Sequence, residues 1–152
     1  MLKKILIAVD KSSPSACAVK EAKQLATQLD AQCALLHVID PSLAYVADLG
    51  ATNEHELAHL RVAGHELIHS IDIDAVRFVL EGDPADTIIN TARDWDADLI
   101  VLGSDSRGRL AHFLLGSTAD SVIRRAPCPV LTVRHQAAAS LKSTEDFSVA
   151  HV

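Results

Sequence analysis

Three of the six glycines in this chain fall between positions 103 and 116, and this cluster is where binding chemistry is first expected. Gly103, Gly108 and Gly116 are followed directly by two hydroxyl residues, Ser117 and Thr118. A glycine-rich turn that leads into a helix presents free backbone N–H groups, and the helix dipole adds positive potential there. Together with the two arginines that flank Gly108, these donors are typical of a cradle for phosphate.

The same spacing also fits an ordinary loop between a strand and a helix. In that interpretation glycine permits tight turns, Ser117 caps the helix and Asp120 completes a capping box. Spacing alone does not separate the two interpretations. It does exclude a Walker P-loop, because Gly103-x4-Gly108 is followed by Arg-Leu rather than by Lys-Ser or Lys-Thr. A Rossmann dinucleotide site is excluded as well, since no GxGxxG follows the first apolar run.

A second candidate for chemistry is a pair of HExxH sequences. Two histidines at this spacing on a helix, with a glutamate between them, form part of the ligand set of zinc proteases. His65 lies where a metzincin has its third ligand, although Val62 occupies the glycine position of that motif. The two sequences are His55-Glu56-Leu57-Ala58-His59 and His65-Glu66-Leu67-Ile68-His69.

Helical periodicity argues against an enclosed zinc centre in this segment. At about 100° per residue the four histidines share one face, opposite the apolar residues Leu57, Leu60, Leu67 and Ile68. Because the apolar side must face a sheet, we expect the histidines to point to solvent, whereas a zinc protease needs its metal in a cleft. A polar face, solvated or in contact with a second copy, is therefore favoured over surface metal binding. It is also favoured over a metal-dependent hydrolase that uses His55, Glu56 and His59.

Five short apolar runs predict the strands that position these residues. They are continuous rather than alternating, as in parallel strands covered on both faces, and span residues 5–9, 34–39, 76–80, 99–102 and 130–133. Four helical segments separate them. The first is capped by Ser13 with Pro14 after it, the second covers residues 52–70, the third opens with Asp83-Pro84, and the fourth runs from near Ser117 to before Pro127. This order predicts an α/β fold, a doubly wound five-stranded parallel sheet with helices on both faces.

In such a sheet, ligands bind at the carboxyl ends of the strands where the winding direction reverses. Asp10 follows the first apolar run and is expected at that edge, although an acidic residue there is also typical of a simple turn. We expect one domain over residues 1–134. Residues 135–152 lack clear periodicity and are predicted to be a C-terminal tail.

Composition and charge exclude several functional classes. Fourteen Lys and Arg against 20 Asp and Glu leave a net charge of -6, and aromatic residues make up only 3% of the chain. A nucleic-acid binder needs a basic surface and stacking platforms, so this class is set aside. Cys17, Cys33 and Cys128 form no CxxC pair and are predicted to be small buried hydrophobes in a reducing compartment. The first apolar run is too short for a signal-peptide core or a membrane span, so we expect a cytoplasmic protein.

The chain resembles the universal stress protein family over residues 3–134. Six motifs in the same order carry the resemblance: Ile5-Leu6-Ile7-Ala8-Val9-Asp10, Leu36-His37-Val38-Ile39-Asp40, Gly82-Asp83-Pro84-Ala85, Ala97-Asp98-Leu99-Ile100-Val101-Leu102-Gly103, Leu115-Gly116-Ser117 and Ala126-Pro127-Cys128-Pro129-Val130. The resemblance implies a Rossmann-like fold of the adenine-nucleotide alpha-hydrolase type. It also implies a regulatory stress-response module that binds ATP with Mg²⁺ and hydrolyses it slowly at most.

ATP-binding members of that family carry Gly-x2-Gly-x9-Gly-Ser/Thr after the fourth strand. Here Gly103, Gly116 and Ser117 fill the first, third and fourth places of the pattern. Ser106 stands where the second glycine is expected, and Gly108 follows two residues later. The chain thus keeps three of the four places, which favours nucleotide binding.

The resemblance also implies roles for individual residues. Asp10 would meet the ribose, Val38 would contact adenine through its backbone, and Ser117 and Thr118 would donate to phosphate. No catalytic residue and no metal ligand of the protein is implied.

Partners follow from the same resemblance. Family members commonly dimerise by pairing the last strand of the sheet with the same strand of a second copy. In this chain that strand is predicted to span residues 129–134, from Pro129 to Arg134. We therefore expect a homodimer that acts with an unidentified regulatory protein. The alternative is a family member without nucleotide, a homodimer that works through protein contacts alone.

Overall fold

A computed structural model describes residues 1–104 and 117–135 of the chain. The helices and strands alternate along these residues. In chain order they are β1 (Lys4–Ala8), α1 (Ser13–Leu29), β2 (Gln32–Ile39), β3 (Tyr45–Val46), β4 (Ala51–Thr52), α2 (Glu54–Ser70), β5 (Ala75–Glu81), α3 (Pro84–Asp94), β6 (Leu99–Ser104), α4 (Ser117–Arg125) and β7 (Val130–Arg134). Each of the five predicted strands is present, and no end is shifted by more than two residues. The predicted tail beyond residue 135 lies outside the described residues, so its boundary stays a prediction.

The five longer strands form one parallel sheet in the order β5-β2-β1-β6-β7. The chain starts at the centre with β1, winds outward through β2 to β5, and then returns to the other side of β1 for β6 and β7. The winding direction therefore reverses between β1 and β6. This arrangement confirms the predicted doubly wound parallel sheet, and it puts β7 at one edge of that sheet.

Helices cover both faces of the sheet, and two aliphatic clusters fill the layers between them. Successive residues of β1 alternate between the clusters because side chains of a strand point to opposite faces. Ile5 and Ile7 pack against α1 and α2, while Leu6 packs against α3 and α4. The buried α1 residues of this cluster are Ala18, Ala22 and Ala26, and their small side chains let the helix lie close to the strands.

Two helix starts differ from the sequence prediction. The N-cap of α1 is Ser12 rather than Ser13, because the Ser12 hydroxyl accepts a hydrogen bond from Ser15 N at 3.3 Å. The second helix begins at Glu54 rather than at residue 52, with Asn53 as its cap. Residue 52 belongs instead to β4, which pairs with β3 in a short antiparallel ribbon. Strands of two residues are too short for the hydrophobic pattern to reveal them.

The cysteines match their predicted character in part. Cys33 is buried, whereas Cys17 and Cys128 are half-buried, and all three are free thiols. Burial, and secondarily the charge of Asp74, raises the pKa of the Cys33 thiol. Among the described residues, no helix is both long and apolar enough to cross a membrane.

Asp98 connects the amino ends of the neighbouring strands β1 and β6, at the edge of the sheet opposite the predicted site. Its Oδ2 accepts hydrogen bonds from the backbone N–H groups of Lys3 and Lys4 at 2.8 and 2.9 Å. These two bonds favour the charged carboxylate and hold its pKa below the ordinary value of 3.8. Asp98 therefore contributes to stability in its ionised form.

We expect Asp98→Asn to lower the stability of the fold at neutral pH. Because the folded state depresses the pKa, the contribution of the carboxylate is complete above the unfolded value of about 3.8 and disappears as pH falls through the lower folded value. Urea midpoints of the wild type and the variant should therefore differ at neutral pH and converge in acid. Asp48→Asn, at an exposed position away from these strands, is the matched control. A difference that stayed constant across the acid range would contradict this account.

Candidate functional site

A cavity of about 580 Å³ opens at the carboxyl ends of β1, β2 and β6, beside the point where the winding reverses. Five predicted site residues line it: Asp10, Val38, Gly103, Ser117 and Thr118. They come from four separate segments of the chain. The other three predicted residues, Ser106, Gly108 and Gly116, lie outside the described residues, and their roles remain predictions.

Asp10 is held in the connection between β1 and α1. Its backbone N–H donates to the Ser15 hydroxyl at 2.9 Å, and its Oδ1 accepts from the N–H of Ser12 at 2.7 Å. The carboxylate thus shapes the turn, as the simpler interpretation predicts, and it is exposed at the mouth of the cavity. A turn role and a ligand role are compatible in this geometry.

Val38 lies on β2 just beyond the end of β1. Leu36 O accepts a hydrogen bond from Val9 N at 2.8 Å, so the backbone groups of Leu36 face β1. Alternate residues of a strand direct their N–H and C=O groups to the same side, and those of Val38 therefore face that side too. Because β1 ends at Ala8, the Val38 backbone borders the cavity rather than another strand.

His37 maintains this gap, and the sequence analysis assigned it no role. Its Nδ1 lies 2.8 Å from Val9 O, and because a carbonyl only accepts, the ring donates to it from Nδ1. The ring occupies space against α2 that only glycine leaves open, since a Cβ at Gly64 would lie 2.7 Å from His37 Cδ2. A histidine inside an apolar run and a glycine inside a helix are the two sequence signals that point to this contact.

Gly103 has a packing role that the spacing argument did not anticipate. A Cβ at this position would overlap the backbone of the first turn of α1, at 2.6 Å from Ser15 N and closer still to Pro14 C. The missing side chain therefore lets α1 approach β6 at the edge of the cavity. Donation of its N–H to phosphate stays a prediction.

The first turn of α4 supplies the hydroxyls of the site. Ser117 is exposed and Thr118 is half-buried, and both line the cavity. The backbone N–H groups of a helix start and its dipole favour an anion at this end. Farther along the helix, the Asp120 carboxylate accepts from Arg124 Nε at 2.9 Å.

Ser104 is a lining residue that the sequence analysis missed. It ends β6 and is 2% exposed. Within residues 1–104 and 117–135, its Oγ is the one buried side-chain oxygen or nitrogen with no hydrogen-bond partner. A polar residue at the end of an apolar run, directly after a glycine, is the only signal that the sequence offers.

The four histidines of α2 lie on the solvent side of that helix, as the periodicity predicts. His55, His59, His65 and His69 are all exposed, and the rings of the first two lie 4.5 Å apart between centroids. In the described part of the chain, no group of three or more His, Cys, Asp or Glu side chains is placed to hold a metal ion. The geometry therefore gives no support to a hydrolase centred on the HExxH sequences.

Comparison with known proteins adds independent findings. A model of the universal stress protein family matches residues 1–134. A universal stress protein of Methanocaldococcus jannaschii is 36% identical over 143 residues, which cover 88% of this chain and 83% of that relative. The solved structure of the universal stress protein UspA from Lactobacillus plantarum is 26% identical with a TM-score of 0.67, covering 87% of this chain and 97% of the other. A universal stress protein solved in complex with cAMP is 26% identical with a TM-score of 0.62, covering 89% and 98%.

We expect the histidine face of α2 to be dispensable for folding. Replacing His55, His59, His65 and His69 together by Gln should change the free energy of unfolding by no more than about 0.5 kcal/mol per exposed position. Thermal denaturation with and without a chelator measures this directly. Unfolding or loss of assembly, after either the quadruple change or metal removal, would show instead that these histidines hold a structural metal or an interface.

Proposed function

This chain belongs to the universal stress protein family, and on that premise we propose that it is an ATP-binding stress-response module. The observation that carries the proposal is the convergence of Asp10, Val38, Gly103, Ser117 and Thr118 on one cavity at the reversal of winding. Open α/β sheets bind their ligands at this point. A relative of the same fold solved with cAMP supports an adenine nucleotide as the ligand class.

The β1 and β2 side of the cavity suits the nucleoside. The Val38 backbone, which borders the cavity beyond the end of β1, supplies one N–H and one C=O, and these match the acceptor and donor on the edge of adenine. The exposed Asp10 carboxylate accepts hydrogen bonds, and ribose hydroxyls donate them. These two residues lie on neighbouring strand ends, so one nucleoside can reach both.

The β6 and α4 side suits the phosphates. A triphosphate is a polyanion and the chain carries a net charge of -6, so its binding must come from local donors rather than from the global field. The start of α4 with Ser117 and Thr118 provides such donors. We assign the same phosphate-binding role to the backbone N–H groups of Ser106, Gly108 and Gly116. A Mg²⁺ ion would accompany the phosphates and neutralise part of their charge. No general base or nucleophile is assigned here, so hydrolysis is slow at most.

We expect the wild type to bind ATP with Mg²⁺, and the strength to depend on position 106. Serine adds a Cβ where the family pattern has glycine, and we expect this to cost about 1 kcal/mol of binding free energy, which corresponds to several-fold in Kd. Ser106→Gly should therefore tighten binding several-fold, and Gly116→Val should abolish it by placing a branched side chain in the phosphate path. Isothermal titration calorimetry measures both changes.

The matched control for this experiment is Ser70→Gly, at an exposed position at the end of α2 and away from the cavity. It should leave the affinity unchanged. If neither the wild type nor Ser106→Gly bound ATP in the calorimeter while both proteins were folded, the nucleotide proposal would be wrong. A stress protein that acts only through protein contacts would then be the remaining interpretation.

We further propose that the chain forms a homodimer through β7. This strand lies at the end of the sheet order, and Leu131 on it is partly exposed. An unpaired strand edge readily pairs with a second copy, and a two-fold axis satisfies both edges at once. Pro129 O accepts from Ile100 N, so alternate residues from 129 onward face β6 and the backbone of Thr132 faces outward.

Thr132→Pro tests the homodimer because it removes an outward N–H and leaves the pairing with β6 intact. Light scattering at micromolar concentration should give twice the chain mass of 16.3 kDa for the wild type and a single chain mass for Thr132→Pro. Thr132→Ala keeps the N–H and should remain dimeric. A monomeric wild type, or a dimer that survives Thr132→Pro, would rule out this interface.

A further inference from the structure

The histidines at the start of α2 have no part in the proposed function. His55 and His59 are about one helical turn apart, and side chains at positions i and i+4 lie on the same face of a helix. Their rings lie 4.5 Å apart between centroids, with the ring planes tilted by 57°. Both residues are exposed. Two imidazole rings therefore lie side by side and are open to a solute, which periodicity alone does not establish.

The backbone that carries this pair is fixed from two sides. The Asn53 side chain caps the helix, because its Oδ1 accepts from the N–H groups of His55 and Glu56 at 3.0 and 3.3 Å. Leu57, between the two histidines in sequence, is 5% exposed and packs against Ala44. Sites on rigid elements hold their ligands more precisely than sites on loops. A bound ion would therefore have to order only the two imidazole side chains.

The charges around the pair are compatible with a cation. The positive end of the α2 dipole opposes one, but two carboxylates in the first turn, those of Glu54 and Glu56, offset it. Glu54 shares its charge with Arg61, whose Nη1 lies 3.8 Å from the Glu54 carboxylate. The net charge of -6 over the whole chain also attracts cations rather than anions to a surface site.

We propose that His55 and His59 form a bidentate surface site for a late first-row divalent metal ion, with water in the remaining coordination positions. Imidazole nitrogen suits Ni²⁺, Cu²⁺ and Zn²⁺, and affinity along this series is highest for Cu²⁺. Among the described residues no third His, Cys, Asp or Glu is placed to complete a closed site. The ion is therefore exchangeable, and the fold does not depend on it. This site is separate from the cavity and does not rest on the proposed nucleotide function.

The test is a calorimetric titration of Ni²⁺ into the full chain, without an added polyhistidine tag. Ni²⁺ lies next to Cu²⁺ in the affinity order and, unlike Cu²⁺, does not oxidise thiols such as the half-buried Cys17 and Cys128. His59→Gln leaves a single imidazole, so it should weaken the tightest binding event at least about tenfold. His55→Gln should have the same effect. Added Ni²⁺ should raise the melting temperature of the wild type but not that of either variant, whereas all three should melt alike without metal.

The matched control is His69→Gln, the same substitution in the second histidine pair of α2. His65 and His69 have the same spacing, but within the described residues their rings form no such close contact. The control should keep the tightest Ni²⁺ binding event and the rise in melting temperature. A wild type that binds no Ni²⁺, or a His59→Gln variant that binds it as tightly as the wild type, would overturn the site. Equal losses in His59→Gln and His69→Gln would also overturn it, because binding would then belong to the whole histidine face. None of these outcomes bears on ATP binding.

Discussion

The contact between the first turn of α1 and the backbone of β6 is the constraint on which the site depends. It is possible only because position 103 has no Cβ, since one would lie 2.6 Å from Ser15 N. The same turn holds Asp10, whose N–H donates to the Ser15 hydroxyl. One close approach therefore fixes the end of β1, the start of α1 and the wall of β6 relative to each other. A larger residue at position 103 would widen the crevice and displace all three.

The contact between His37 and Val9 shapes the β2 side of the cavity. His37 donates a hydrogen bond to the carbonyl of Val9. If β1 continued beside β2, a backbone N–H of β2 would bind that carbonyl instead. The Val38 backbone is thereby left at the edge of the cavity. Gly64 on α2 makes the room for the imidazole ring. Gly103 on a strand and Gly64 on a helix thus act through close packing rather than through unusual backbone angles.

The polar groups around the cavity fall into two classes. Ser12, Ser15 and the Asp10 backbone bind one another and stabilise the entry into α1. The Val38 backbone and the start of α4 border the cavity on its other sides. The first class builds a rigid frame from internal hydrogen bonds, and the second offers donors and acceptors to a ligand. In an acidic chain this local arrangement is what can attract a polyanion.

The sequence by itself determined the strand runs, the parallel sheet, the solvent side of the α2 histidines and the Asp83 cap of α3, whose Oδ1 accepts from Asp86 N at 2.9 Å. These features depend on periodicity and on nearest neighbours, which a local pattern records directly. Five residues that line the cavity were also named in advance, and of these Val38 came only from the resemblance to the family. Only the tertiary structure decided that Ser12 caps α1, that residue 52 pairs in a ribbon, that Gly103 serves packing, and that His37 and Ser104 belong to the site. Each of these depends on a group brought from elsewhere in the fold or on a stretch of two residues. Whether a hydroxyl finds a partner is set by what packs around it, and no spacing along the chain contains that information.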